Sequence, residues 1–390
     1  MKSPIIYKIL YLFFFLTPME SVSIIQGGDF SLPKLAVLLL LLVYLLRSSW
    51  NRLYGNAFIG VIGLYSVWAL ITSVFSINME GSMSRFVSFL VPLLVLIYIL
   101  NTLVTNDKVI RNIMLSFVAG CCIPICIMIY FTMQGVGGEL NRMTAFEQDQ
   151  NELSVMLSIA ASFVFILLKD KNPKIVNLLL VIFICFCFVA ILLTGSRTGF
   201  IILMAVLLLG LLSLGKKGII WAIISIFLIL PFLLPYIPES NVERLLQTQE
   251  QVAQGDFTGR GYVWQRGLAA FHTQLPIRML IGVGYDQFQF LYNQNYGTFT
   301  APHNTYLAIY VELGIIGFAI FLYILYYVFR KTMQLCRSNR TLVYLGMFLP
   351  LIIAMMTLGL QTRRWLWIIL FLIYKIYSID KFKRIENIRR

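Results

Sequence analysis

The stretch KIVNLLLVIFICFCFVAILLTGSRTGFIILMAVLLLGLLSL, Lys174–Leu214, decides the fold class. It contains two apolar runs, 174–193 and 198–214, and each is about as long as the roughly 17 to 25 residues that cross a bilayer core. Only the four residues TGSR separate them. The stretch therefore predicts two membrane-spanning helices joined by a tight turn at one membrane surface.

Similar apolar runs occur along the whole chain, of which 59% is hydrophobic and only 12% is charged. These values lie far from the balance of a soluble domain. Hydropathy predicts about twelve transmembrane helices, at roughly 5–18, 32–46, 57–76, 85–104, 112–134, 152–168, 174–193, 198–214, 218–236, 303–329, 341–360 and 364–378. The chain is predicted to be an all-α polytopic membrane protein with one large external helical loop, 237–302, between helices 9 and 10.

The net charge of +14 is distributed unevenly between the two predicted sides of the membrane. If the N-terminus is cytoplasmic, the inner segments hold 21 of the 31 Lys and Arg residues but only 4 of the 17 acidic residues. The positive-inside rule therefore predicts cytoplasmic N- and C-termini. Because orientation in the membrane explains the basic residues, no nucleic-acid partner is expected.

Arginines on the predicted outer side require an explanation, because the positive-inside rule disfavours them. They are Arg142, Arg197, Arg244, Arg260, Arg266, Arg278, Arg363 and Arg364. Arg197, between two spans, lies at the membrane surface or in a cavity, where a functional role is expected. The alternative is that it extends to lipid headgroups or pairs with a carboxylate such as Asp149. Arg260, in GRGYVWQRG, is the second candidate for ligand binding.

Two histidines occur in the chain, and His303 directly precedes a predicted span in APHNTYLAIYVELGIIGF, whereas His272 lies in the external loop. An imidazole with an ordinary pKa near 6.5 suits general base catalysis at neutral pH. The alternative is a structural histidine that caps the helix start. No cluster of histidine, cysteine or acidic residues has metal-site spacing, so neither a metal nor a cofactor is expected.

Outward-facing arginines beside a membrane-embedded cavity suit an anionic, lipid-borne ligand, because guanidinium binds phosphate oxygens in a bidentate fork. A lipid diphosphate fits this description. Transfer of a sugar from such a carrier requires stabilisation of the departing diphosphate and removal of a proton from the attacking hydroxyl. Arg197 and Arg260 could supply the first function, and His303 the second.

The ordered motifs TGSRTGF, GRGYVW, IGVGYDQF and APHNTYLAIYVELGIIGF, within roughly 150–330, resemble the O-antigen ligase and polymerase superfamily. The resemblance implies a GT-C-like glycosyltransferase of the bacterial inner membrane whose active site faces the periplasm, with 1–390 as one transmembrane catalytic domain. It implies a metal-independent, inverting transfer of a glycan from undecaprenyl diphosphate, either to lipid A-core or to a growing glycan. By resemblance, Arg197 and Arg260 hold the diphosphate and His303 activates the acceptor.

Five further residues are weaker candidates for substrate binding: Asn304, Asp149, Asn151, Arg266 and Asp286. The segment DQNELSVML, Asp149–Leu157, is similar to a polar element of the superfamily, although polar residues also belong at a helix N-terminus. Glu312, inside the predicted span after His303, is expected to pair with an arginine or face a cavity. The GVG sequence at 282–284 predicts a turn, because a phosphate loop would need a βαβ unit.

A transporter or lipid-glycan flippase is the alternative from a different functional class. Twelve helices suit it equally well, but the sequence shows no clear similarity between two halves, as many transporters do. A flippase would also be expected to have charged residues at the membrane midplane of several helices, whereas here such residues gather on the predicted outer side. The sequence therefore favours a glycosyltransferase that contacts membrane lipids, and it leaves the choice between ligase and polymerase open.

Overall fold

A computed structural model describes residues 4–20, 31–46, 56–134, 143–146, 148–170, 172–233 and 260–389. Within these ranges the regular structure is helical and contains no β-strand. The predictions for Arg142, for Arg244 and for residues 237–259 of the external loop lie outside the described residues.

The helices are numbered in chain order. They are α1 (Pro4–Leu16), α2 (Leu32–Leu45), α3 (Ala57–Val74), α4 (Met79–Arg85), α5 (Val91–Leu103), α6 (Asp107–Met133), α7 (Gln150–Leu167), α8 (Lys174–Thr194), α9 (Arg197–Leu233), α10 (Arg260–His272), α11 (Pro276–Ile281), α12 (Phe288–Tyr296), α13 (Thr305–Ser338), α14 (Leu345–Met355) and α15 (Arg364–Arg389). A 3-10 turn, Thr17–Met19, extends α1, and a π turn, Phe86–Leu90, joins α4 to α5.

A helix lies at the position of each predicted span, which confirms the all-helical membrane class. Among the described residues, seven helical segments are long and apolar enough to cross a membrane: Ala57–Val74, Met79–Leu103, Asp107–Met133, Gln150–Leu167, Lys174–Thr194, Arg197–Gly215 and Thr305–Ser338. Helices α1, α2 and α14 are apolar but shorter. Twelve crossings therefore stay a prediction.

The opening stretch forms α8 and the first part of α9, and the turn between them is as tight as the sequence predicts. Gly195 adopts the left-handed conformation at the end of α8, with φ of 57°. A glycine adopts this conformation without the steric cost of a Cβ atom. The turn places Arg197 at the first residue of α9.

Helix α7 lies at the centre of the bundle and packs against α6, α8, α9 and α14. Of the seven candidate spans in the described residues, it has the largest buried share, 83%. A Cβ atom at Gly199 of α9 would lie 2.1 Å from Oγ of Ser154 in α7. Small residues at this contact let the two helices approach closely, as is common between membrane helices. The starts of α7 and α9 are therefore held together.

Helix α13 is broken at Gly314, which has φ of 67° and ψ of −174°. A break at membrane depth requires other donors for the freed carbonyl groups. The backbone N–H groups of Val283 and Gly284 donate to the carbonyl oxygens of Val311 and Glu312, at 3.0 and 2.9 Å. The indole Nε1 of Trp68 donates to the Leu313 oxygen at 2.9 Å. The GVG segment is therefore a turn that docks on the broken helix.

The same turn is fixed by the segment that follows α3. The Ser76 hydroxyl and the Ile77 N–H both donate to the Val283 oxygen, at 2.9 and 3.0 Å. The Ser82 hydroxyl donates to the Tyr285 oxygen at 2.9 Å. Arg278 donates to the carbonyl oxygen of Phe75, which ends α3. The short helices α10, α11 and α12 are thus attached to the bundle at a defined position.

Several segments that the sequence assigns to the inner side meet at one end of the bundle. Arg111 pairs with Asp170 at 3.4 Å, and Lys383 pairs with Asp107. The Arg384 guanidinium donates to the carbonyl oxygen of Ser338 at 2.8 Å. The predicted grouping of these connections agrees with the contacts, whereas the membrane side that they face stays a prediction.

Candidate active site

A cavity of about 650 Å³ lies where α1 ends and where α2, α7, α13 and α15 begin. The loop before α12 and the segment after α14 complete its walls. Its described lining includes His303, four cationic residues and five carboxylates: Lys34, Arg85, Arg363, Arg364, Glu20, Asp149, Glu152, Asp286 and Glu312. In a chain that is only 12% charged, such a concentration of ionisable groups in a cavity marks a candidate site.

His303 and Asp286 both line the cavity with left-handed backbones, at φ of 44° and 58°. Within the described ranges only four non-glycine residues have positive φ. This conformation is strained for ordinary residues, costs about 1 to 3 kcal/mol and clusters at functional sites. The strained backbone at His303 is therefore expected to be held in place by contacts of the neighbouring residues.

Hydrogen bonds fix the residues that precede and follow His303 in the chain. Its neighbour Asn304 caps α13, because its Oδ1 accepts from the Leu307 N–H at 3.1 Å. The carbonyl oxygen of Pro302 accepts from the Trp264 indole at 2.8 Å. Asn304, rather than His303, is therefore the helix cap, and the alternative interpretation of His303 as a capping residue is wrong. The His303 side chain lines the cavity.

The loop between α14 and α15 is also attached to the start of α13. Thr305 Oγ1 donates to the Leu358 oxygen at 2.6 Å and accepts from the Leu360 N–H at 2.8 Å. The Arg260 guanidinium donates to the Thr357 oxygen at 2.8 Å. These bonds bring Arg260 of α10 and residues 358–364 to the same side of the cavity as His303.

The structure brings some of the predicted site residues together and leaves others apart. Asp149 and Asp286 line the cavity with His303, and Asp149 also caps α7 by accepting from two backbone N–H groups, at 2.9 and 3.0 Å. The Asn151 Oδ1 atom accepts from the Ser196 hydroxyl at 2.9 Å. This bond places half-buried Arg197 beside the start of α7.

Arg266, by contrast, lies in α10 and is not among the described residues that line the cavity. Its guanidinium stacks on the rings of Tyr262 and Tyr296, at 4.2 and 4.7 Å from their centroids. The Tyr296 hydroxyl in turn donates to the Arg266 carbonyl oxygen at 3.0 Å. The predicted role of Arg266 in substrate binding stays a prediction, and in the structure the two tyrosine rings engage its guanidinium.

Comparison with known proteins adds to this geometry. Residues 178–322 match the family model described as O-antigen ligase. This match supports the resemblance of the chain to the O-antigen ligase and polymerase superfamily. Members of this superfamily are membrane glycosyltransferase-like enzymes. No curated protein matches the chain with significance.

The match to the O-antigen ligase family contains the TGSRTGF turn, α10 and the start of α13, and therefore Arg197, Arg260 and His303. Glu312 also falls within it. The cavity residues Glu20, Lys34, Asp149, Glu152, Arg363 and Arg364 lie outside it. The site is thus built jointly by the matched region and by helix ends that surround it.

The sequence did not predict the ion pairs among the residues that line the cavity. Glu152 is buried, and its carboxylate bonds Arg363 at 3.0 Å and the Trp365 indole at 2.8 Å. Arg364 lies 3.9 Å from Glu20, and Arg85 lies 3.1 Å from Asp286. The sequence identified Arg363 and Arg364 only as arginines on the predicted outer side, which the positive-inside rule disfavours. It did not predict their partners.

Two acidic groups of the cavity, Glu20 and Asp286, have pKa values close to neutrality. Burial, followed by the nearby charge of Glu152, raises the pKa of Glu20 to about 7 against the opposing effect of the arginines. Burial raises the pKa of Asp286 to about 6, and Arg85 opposes this shift. The cavity can therefore take up protons near neutral pH, which lowers its repulsion towards an anionic ligand.

The pKa of His303 is lowered by burial first and by the positive charge of Arg260 second, whereas Asp149 raises it. The neutral imidazole, which is the form that accepts a proton, therefore prevails at neutral pH. In the described part of the chain, no group of three or more histidine, cysteine or acidic residues could hold a metal ion.

The opposite effects of Arg260 and Asp149 on the pKa of His303 predict opposite shifts in the pH dependence of two variants. Replacing Arg260 by glutamine removes a positive charge, so the pKa of His303 rises and the acidic limb of kcat/KM against pH moves to higher pH. Replacing Asp149 by asparagine moves the limb to lower pH, and asparagine preserves the cap of α7. Rate profiles between pH 4.5 and 8 measure both shifts. Shifts in the same direction would contradict the proposed electrostatic role of both residues.

Proposed function

We propose that the protein transfers a glycan from undecaprenyl diphosphate to an acceptor hydroxyl on the periplasmic side of the bacterial inner membrane. In this proposal it acts as an O-antigen ligase, and lipid A-core is the acceptor. One observation carries the proposal: His303, whose pKa is lowered, shares a cavity with several cationic side chains at one end of a membrane bundle. The match of residues 178–322 to the O-antigen ligase family model supports the same proposal.

The cationic side chains supply the electrostatic part of the reaction. The departing diphosphate gains negative charge, and guanidinium groups that are held in place stabilise this charge without a metal. Arg197 and Arg260 have this role by family resemblance. Arg363 and Arg364 line the cavity itself. Because the pKa of Glu20 is about 7, its partial protonation near neutrality leaves Arg364 available to an incoming phosphate.

His303 supplies the proton transfer. Its neutral imidazole accepts the proton of the acceptor hydroxyl while the hydroxyl oxygen forms a bond to the anomeric carbon. The bond between this carbon and the diphosphate oxygen breaks, and its electron pair leaves with the undecaprenyl diphosphate. The acceptor attacks from the face opposite the leaving group, so the anomeric configuration inverts.

A polymerase of the same superfamily would use the same donor chemistry with a growing glycan as the acceptor. The acceptor alone distinguishes the two activities. A flippase is less favoured, because a charged glycan needs polar groups across the membrane, whereas the charged residues that line this cavity gather where several helices begin or end.

The test uses the purified protein in detergent with an undecaprenyl-diphosphate oligosaccharide and EDTA, with lipid A-core or with donor alone. Product on lipid A-core is expected from a ligase, and a glycan ladder from donor alone would identify a polymerase. Replacing Arg197 or Arg260 by alanine is expected to slow transfer by about 10- to 1,000-fold, because each removes charge stabilisation. If neither reaction yields product, the proposal is wrong.

The chain offers a matched control for the histidine. His272, the other histidine of the sequence, lies exposed at the end of α10. His272→Ala is therefore expected to transfer the glycan at the wild-type rate, and His303→Ala is not. Equal activity of the two variants would remove the base assignment.

A further inference from the structure

We propose that Glu312 and Gln361 form a subsite that binds the hydroxyl groups of the sugar, separate from the cationic part of the cavity that faces the diphosphate. This inference rests on the proposed function and identifies which wall of the cavity recognises carbohydrate. Both residues line the cavity, and both are almost completely buried, at 2% and 5% exposure.

Glu312 lies just before the break of α13, and its environment is unusually well defined. Backbone N–H groups of Asp286 and Phe288 and the side-chain amide of Gln361 lie close to its carboxyl group. Its Oε2 atom nevertheless has no hydrogen-bond partner within the described part of the protein. A buried carboxylate oxygen without a donor is costly, so the geometry leaves one acceptor position for a group that the protein does not supply.

Gln361 likewise has a fixed backbone and an unpaired side-chain oxygen. Its backbone oxygen accepts from the Trp367 indole at 3.0 Å, and the preceding Leu360 N–H donates to Thr305. The backbone at Gln361 is therefore fixed. Its side-chain Oε1 atom is buried and, among the described residues, has no donor.

Unpaired buried acceptors concentrate at this cavity. In the described residues, seven buried side-chain polar atoms lack a partner, and four of them belong to residues that line the cavity: Glu20, Ser31, Glu312 and Gln361. Most buried polar groups in proteins are paired, so a cluster of exceptions requires an explanation. A ligand that donates hydrogen bonds would pair them.

The chemistry of the acceptors selects the kind of ligand group. The Gln361 carbonyl oxygen accepts hydrogen bonds, and the Glu312 carboxyl group accepts them and, when protonated, also donates one, whereas an ionised phosphate has no proton to donate. Sugar hydroxyl and amide N–H groups do donate. The diphosphate therefore fits the arginine wall, and the carbohydrate fits the wall formed by Glu312 and Gln361.

The experiment measures the affinity of the full-length protein in detergent for two probes, undecaprenyl diphosphate and undecaprenyl diphosphate that carries one N-acetylglucosamine. We expect the wild type to prefer the sugar-bearing lipid by about 10-fold or more, as two additional hydrogen bonds would give. Glu312→Gln and Gln361→Leu are expected to reduce this preference to about twofold or less, with little change for the sugar-free lipid.

Gln289→Leu is the matched control, because Gln289 lines the same cavity but is exposed. It should keep the wild-type preference. The inference is overturned if the wild type binds both lipids equally, if both wall variants keep the preference, or if they lose affinity for both lipids to the same extent. The last result would assign these residues a structural role alone. Failure of the wild type to bind either lipid would instead contradict the proposed function.

Discussion

Replacing His303 by asparagine is expected to slow glycan transfer by about 10²- to 10⁴-fold while the protein remains folded. This range is the usual contribution of a positioned general base. Asparagine tolerates the left-handed backbone that His303 adopts at φ of 44° better than most residues. It is also polar and smaller than histidine, but it cannot accept a proton. Single-turnover rates with saturating donor lipid measure the effect.

The thermal stability of the same variant separates catalysis from folding. Because asparagine relieves part of the backbone strain, the melting temperature in detergent should equal or slightly exceed that of the wild type. Affinity for undecaprenyl diphosphate should also be unchanged, since the cationic lining is intact. A variant that transfers the glycan at the wild-type rate would show that another group accepts the proton.

Local patterns in the sequence predicted the membrane helices and several of their ends. The apolar runs on either side of TGSR correspond to α8 and α9, because the length and hydropathy of a span are properties of contiguous residues. The polar residues Asp149 and Asn304 each cap the helix that follows them. Helix caps act within three residues, so they too can be predicted from a short window.

The partners of the cavity side chains could not be predicted in this way. Glu152 contacts Trp365, which lies 213 positions away in the chain, and Asp286 pairs with Arg85. Such pairs depend on which helices are neighbours, and hydropathy contains no information on that arrangement. The sequence did indicate that the outer arginines and Glu312 need partners, because isolated charges are costly at membrane depth.

The break in α13 illustrates a further limit. The sequence predicts a continuous span over 303–329, and Gly314 does not by itself signal an interruption, because glycine is frequent in membrane helices. The break becomes favourable only through the N–H groups of Val283 and Gly284, which replace helical donors. This contact joins two separate motifs, IGVGYDQF and APHNTYLAIYVELGIIGF, and it sets the position of Glu312 in the cavity.

Substitution of Gly282 by alanine is expected to destabilise the protein far more than the same change at Gly297. Both glycines have a positive φ, of 81° and 73°. A Cβ atom at Gly282 would lie 2.2 Å from the carbonyl oxygen of Glu312, whereas one at Gly297 would have no atom within 4 Å. Alanine at Gly297 should therefore cost only the conformational penalty of about 1 to 2 kcal/mol.

The larger effect at Gly282 follows from the kind of atom that the new methyl group meets. A backbone carbonyl cannot move aside as a flexible side chain can, so the turn must separate from α13 and lose its bonds to Val311 and Glu312. The cost should exceed that at Gly297 by about 2 kcal/mol or more, as overpacking of fixed groups does. Melting temperatures in detergent measure this difference, and transfer rates show whether displacement of Glu312 also impairs the site. Equal melting temperatures for the two variants would mean that the turn and the broken helix are not in the close contact that positions the cavity wall.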